Sequence, residues 1–103
     1  MKKRRKEVLD ELDREFSVTR QLGSRVSFLR KQMGLSQVDF AVKTDLSKTY
    51  ICDFEAGRRN ASIETISTIA SALEVTLSEL FRGIVSLKDL DNIILKRQKA
   101  SRK

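Results

Sequence analysis

The chain has 103 residues, 40% of them hydrophobic and 34% charged, with a formal net charge of +7, a size that suits one small domain with tails. With no histidine and a single cysteine, Cys52, it lacks the parts for a histidine triad, a His- or Cys-rich metal site or an internal disulfide, so no enzyme activity and no cofactor are expected. There is no apolar run of about 18 residues for a membrane span, and the charged stretch after the basic start is no secretory signal, so a reducing cytoplasm is the expected location.

The chain opens on a basic arm, Met1-Lys2-Lys3-Arg4-Arg5-Lys6, and closes on Lys96, Arg97, Lys99, Arg102 and Lys103. Between these arms eleven basic residues face fourteen acidic ones. Basic arms suit a polyanionic partner, and they also keep a small protein soluble. There is no proline and no sustained period-two alternation, so the chain reads as all-α.

Val8, Leu9, Leu12 and Phe16 share one face of a short N-terminal helix. Leu22, Val26, Leu29 and Met33 form the apolar stripe of a first core helix, from about Val18 to Met33, which Gly34 ends. Ser36 caps a second helix that runs to about Thr44. Asp45 fits the following turn because aspartate tolerates a positive φ. Ser47 caps a third helix, Lys48 to Ala56, which buries Ile51 and Phe54 and stops at Gly57. After the basic loop Arg58-Arg59-Asn60-Ala61, Ser62 caps a helix through Leu73 whose inner face is Ile63, Ile66, Ile69, Ala70 and Leu73. Thr76 or Ser78 opens a last short helix with Leu77, Leu80 and Phe81. Another amphipathic stretch runs from Ile84 to Leu95. The domains expected are an arm and short helix over 1–17, a compact unit over 18–83, and a C-terminal helix and tail over 84–103.

Four segments carry a resemblance. They are Leu22-Gly23-x-Arg25-Val26, Leu35-Ser36-Gln37-x-x-Phe40-Ala41, Tyr50-Ile51-x-x-x-Glu55-x-Gly57-x-Arg59-Asn60 and Leu73-x-Val75-x-Leu77-x-x-Leu80-Phe81. In this order and spacing the chain resembles the Cro/C1-type (Xre) helix-turn-helix family of bacterial and phage transcriptional regulators over residues 19–82. The Lys48-Thr49-Tyr50-Ile51 and Arg59-Asn60-x-Ser62-Ile63 segments resemble restriction–modification controller proteins. The resemblance implies a compact five-helix, lambda-repressor-like bundle with extra terminal helical segments. It also implies a DNA-binding dimer and an Arg30–Glu55 pair that locks the first core helix to the recognition helix. Removing one partner of such a pair would cost roughly 3–5 kcal/mol if it is fully buried. The chain departs from the family with Ala61 where proline is common, Asp45 where glycine is common, and an apolar Val38 where a polar residue is usual.

Physical chemistry gives each candidate site residue a role. Gln37 can donate to a phosphate at a helix N-terminus, or be a solvated amide; in the family it also braces the recognition helix. Lys48, Thr49, Cys52 and Asp53 fall on the outer face of the recognition helix. Lys48 can donate to guanine O6/N7 and Thr49 can meet a thymine methyl or a phosphate. Asp53 can accept from cytosine N4 or restrain Lys48 or a nearby arginine. Tyr50 can pack on sugar and reach a phosphate, or serve packing alone. Arg58, Arg59 and Asn60 position the backbone strand. Cys52 reads as a small neutral side chain near the groove or as a regulatory thiol.

Since one recognition helix reads few base pairs, a two-fold homodimer on a palindromic operator is expected, with half-sites roughly 10 base pairs apart. Leu77, Leu80, Phe81, Ile84 and Leu87 supply its apolar surface, the alternative being docking of the C-terminal helix on its own bundle. The sequence reading is therefore a sequence-specific, autoregulatory regulator that binds double-stranded DNA, controller-like or phage-repressor-like. The controller version adds a surface for RNA polymerase. The rival is a helical interaction module or antitoxin-like partner-binding protein.

Overall fold

The computed structural model describes residues 4–92 and residue 96. The apolar residues Ile93 and Ile94, the first three residues of the N-terminal basic arm and all of the C-terminal arm except Lys96 lie outside the described residues. The described residues are helical, with no strand among them, in the order α1 (Arg5–Glu15), α2 (Val18–Gln32), α3 (Gln37–Thr44), α4 (Lys48–Glu55), α5 (Ile63–Ala72) and α6 (Leu77–Leu80). Residues 87–92 are also helical. No helix among the described residues is long and apolar enough to cross a membrane.

Two compact units are formed, Thr19–Ile84 and the paired terminal segments Met1–Val18 and Val85–Lys103. The larger unit is the five-helix bundle, α2 to α6. The terminal unit holds α1 and the helical residues 87–92, with Leu12, Phe16 and Leu87 half-buried. There Ser86 and Asp89 close a reciprocal cap: Asp89 N–H donates to Ser86 Oγ at 3.1 Å and Ser86 N–H to Asp89 Oδ2 at 3.1 Å.

Side-chain caps start four helices of the bundle. The oxygens of Ser36, Ser47, Ser62 and Thr76 accept the amides of Asp39, Tyr50, Thr65 and Glu79. Each bond satisfies an amide that the first helical turn leaves without a partner, typically about 1 kcal/mol. Besides α2, which ends at Gly34 with Leu35 N–H bonded to Arg30 O at 3.2 Å, three helices stop by the same geometry, a residue of positive φ followed by a bond back to the carbonyl five residues earlier. Leu46 N–H reaches Ala41 O at 3.1 Å, Arg58 N–H reaches Asp53 O at 2.9 Å, and Val75 N–H reaches Ala70 O at 3.1 Å. The pivots are Asp45, Gly57 and Glu74.

α3 packs on α4 and α5, and α5 packs on α6. Val26, Phe40, Ile51, Ile69 and Leu80 are completely enclosed at the centre. Burying each such side chain contributes roughly 1.5–3 kcal/mol. The buried Thr44 hydroxyl is satisfied by donating to Phe40 O at 2.8 Å.

Two expectations need correction. Ile63 is 70% exposed, because the first residue of α5 precedes the turn on which the helix meets its neighbours. Leu80 is 0% exposed. α6 is a single turn, and this side chain is enclosed by its own chain, so Leu80 is a core residue and offers no surface to a second copy. Leu77 remains exposed, while Phe81 and Ile84 are half-buried against the core.

The packing of α5 predicts a contrast. Ile69→Ala should lower unfolding stability by about 2–5 kcal/mol, and Ile63→Ala by less than about 0.5 kcal/mol. Urea unfolding of both variants measures it, and equal losses would contradict the burial assigned to α5.

Candidate nucleic-acid interface

The turn between α3 and α4 is short because Asp45 adopts φ 59°, which reverses the chain within two residues. Ser47 then starts α4, leaving Lys48 and Thr49 exposed in its first turn. Ile51 and Phe54 anchor the opposite face of α4 in the core, so Lys48, Thr49 and Cys52 point outward. The loop Arg58-Arg59-Asn60 is exposed directly beyond the end of α4.

A polar cluster ties α4 to the two preceding helices. Arg30 Nε donates to Glu55 Oε2 at 2.7 Å and its Nη2 donates to Oε1 at 2.9 Å. Arg30 Nη1 donates to Leu35 O at 2.7 Å. Gln37 Nε2 donates to Glu55 Oε1 at 3.2 Å. The Arg30 and Glu55 side chains are 8% and 6% exposed. Burial alone would raise the Glu55 pKa; hydrogen bonds from Arg30, Gln37 and Ser27, with the Arg30 charge, outweigh it and leave the carboxyl below its ordinary value. Arg30 is pushed up, chiefly by its hydrogen bond to Glu55.

Glycine permits the close contacts around this cluster. A Cβ at Gly23 would lie 2.4 Å from Phe54 O and 2.7 Å from Glu55 O, so any larger residue on α2 would push away the end of α4. Gly57 combines φ 78° with an approach in which a Cβ would lie 2.8 Å from Arg20 Cα. Gly57 is legible in the sequence as a helix stop and Gly23 as part of a motif, but neither close approach leaves a spacing signal. The bond from Arg25 Nη2 to Glu79 O at 3.1 Å was also missed, since a side chain that bonds a distant carbonyl has no pattern to reveal it.

The remaining candidates form a second cluster. Tyr50 is half-buried with its ring 6.4 Å from that of buried Phe54. The Arg59 guanidinium lies 4.9 Å from the Tyr50 ring centroid. Asp53 Oδ1 accepts from Arg58 Nη1 at 3.3 Å, and Asp53 Oδ2 lies 3.9 Å from Arg59 Nε. Asp53 therefore restrains the loop arginines. Asn60 is exposed beside them.

The chain's helix-turn-helix segment thus has a capped, outward-facing helix fixed by a buried ion pair and flanked by arginines. A helix-turn-helix family model matches residues 27–80, more than half of the chain. The chain belongs to that family, the Cro/C1 type of helix-turn-helix proteins. It is 43% identical over 63 residues to the control protein C.MunI of a Mycoplasma species, a match that covers 60% of this chain and 85% of that protein. Of two further relatives, at 36–37% identity, it spans 41% and 49% of their length. The crystal structure of the restriction-modification controller protein C.AhdI from Aeromonas hydrophila matches with a TM-score of 0.61 and 35% identity, over 64% of this chain and 96% of that one. The controller protein C.Esp1396I, solved as a tetramer on its natural 35 base-pair operator, matches with a TM-score of 0.61 and 28% identity, over 66% of this chain and 90% of that one.

The lowered Glu55 pKa has a definite sign. The unfolded chain binds this proton more readily than the folded one, so Glu55 adds stability above about pH 4.3, its unperturbed range. That contribution is lost as pH falls toward the lower folded value. Glu55→Gln should therefore flatten the acid limb of the stability–pH curve, as read by thermal unfolding between about pH 3 and 7. An unchanged acid limb would show that Glu55 is not held ionised by its neighbours.

Proposed function

We propose that this chain is a sequence-specific DNA-binding transcriptional regulator that works as a homodimer on a two-fold symmetric operator. The observation that carries the reading is the outward first turn of α4, Lys48 and Thr49, presented beside Arg58, Arg59 and Asn60 on a helix fixed by Arg30, Gln37 and Glu55. α4 enters the major groove, where Lys48 donates to guanine and Thr49 meets a base methyl or a phosphate. Gln37 retains a second amide hydrogen for a phosphate while it bonds Glu55. Tyr50, Arg58, Arg59 and Asn60 hold the sugar–phosphate strand and fix register. Cys52 is a small neutral neighbour of the groove.

Dimerisation uses the exposed Leu77 with the half-buried Phe81 and Ile84 of the bundle. Two recognition helices about 34 Å apart then meet successive major grooves on one face of the duplex. The similarity to controller proteins favours autoregulation at the chain's own promoter, with RNA polymerase contact as the means of activation, in the cytoplasm.

Footprinting on the DNA upstream of its own gene, at roughly 150 mM salt to weaken phosphate-only binding, tests the reading. The expected result is a two-fold symmetric protected patch. Lys48→Ala should weaken that complex by about 1–3 kcal/mol and relax preference at one base pair of each half-site. No protection on any promoter fragment, with only weak salt-sensitive binding, would favour a helical interaction module instead.

A further inference from the structure

The end of α4 places a carboxylate among the cations that the DNA-binding reading assigns to phosphate. Gly57 N–H donates to Phe54 O at 3.0 Å and Arg58 N–H to Asp53 O at 2.9 Å. This helix stop folds residue 58 back over residue 53, a place where an apolar contact is usual. Here the two side chains are Asp53 and Arg58, with Nη1 and Oδ1 3.3 Å apart. Arg59 lies across the same face, with its guanidinium over Tyr50 and its Nε 3.9 Å from the second Asp53 oxygen. Tyr50 rests on buried Phe54, so the core backs the arrangement. One carboxylate is shared by two arginines, and both arginines stay largely open to solvent at 70% and 47% exposure.

We propose that Asp53 is an internal counter-anion that competes with DNA phosphate for Arg58 and Arg59, and so sets the protein's general affinity for duplex DNA. The inference rests on the DNA-binding reading above and adds a regulating residue to it. A phosphate, like a carboxylate, can take an arginine with two parallel charge-assisted bonds, and the Asp53–arginine contacts here, at 3.3 and 3.9 Å, fall short of that geometry. The phosphate must first part each guanidinium from Asp53, and it then sits near an uncompensated negative charge. Binding to random sequence is almost wholly phosphate contact, so this competition acts on it in full and keeps the protein from being held at random sites.

The experiment compares wild type and Asp53→Asn on a scrambled 20–30 base-pair duplex across a salt series, by fluorescence anisotropy. Asparagine keeps the shape and removes the charge. Asp53→Asn should bind about 3–10-fold tighter at low salt, the scale of two exposed ion pairs, and its log K against log salt should steepen by about one phosphate's worth. In an Arg58→Ala/Arg59→Ala background the same substitution should give a clearly smaller gain, that of the lost charge alone, which separates competition for the arginines from a mere change of net charge. Wild-type binding with no gain in Asp53→Asn would overturn this inference and leave the DNA-binding reading standing, as would an equal gain without the arginines. No duplex binding by either protein would overturn both.

Discussion

The orientation of the recognition helix depends on one buried ion pair. Arg30 on α2 and Glu55 at the end of α4 meet through two hydrogen bonds, and the remaining reach of Arg30 goes to Leu35 O between α2 and α3. Gln37 at the start of α3 adds a third bond to the carboxylate. One cluster therefore joins three helices. Taking two charges out of water is costly, and burying such a pair need not stabilise a fold relative to a well-packed apolar substitute. Its directional bonds admit a narrow range of helix positions, which an apolar contact would not. Here that directional restraint falls on the helix whose position a DNA groove would read.

Backbone geometry works toward the same end. α4 has eight residues, too few to hold a shape alone. Ser47 caps its start, the reversal at Gly57 satisfies its last carbonyls, and Ile51 and Phe54 bury its inner face. Gly23 lets α2 touch the carbonyls of the final turn. The outer face is left to polar side chains whose positions the buried face dictates. Packing thus becomes recognition geometry, with Lys48, Thr49 and the 58–60 loop left exposed and outside the core.

Much of this was legible from residues alone, because its signals are local. Serines before apolar periodic runs marked the starts of α3, α4 and α5, and Gly34 and Gly57 marked ends. The stripe of α2 and the inner positions of α4 followed from helical period. The partnership of Arg30 with Glu55 came from resemblance, since their separation of 25 residues has no local pattern. What escaped depends on where elements meet. Ile63 has the right period for the core but lies a turn before the contact. Leu80 belongs to an apolar run that looked like interface, yet α6 packs on α5 with Leu80 turned inward while Leu77 stays exposed. The ambiguity at Asp53, base acceptor or restraint, needed the fold of the 57–59 loop, which brings Arg58 and Arg59 to it in place of Lys48.

The central claim is that the first turn of α4 and the 58–60 loop form one surface that meets DNA. Amide chemical-shift mapping on titration with a duplex from the chain's own promoter region tests it most directly. The account predicts shifts concentrated at residues 47–50, 58–60 and the amides that open α3, with the outer face of α5 unmoved. Shifts centred on the outer face of α5, or none at a DNA excess, would contradict it.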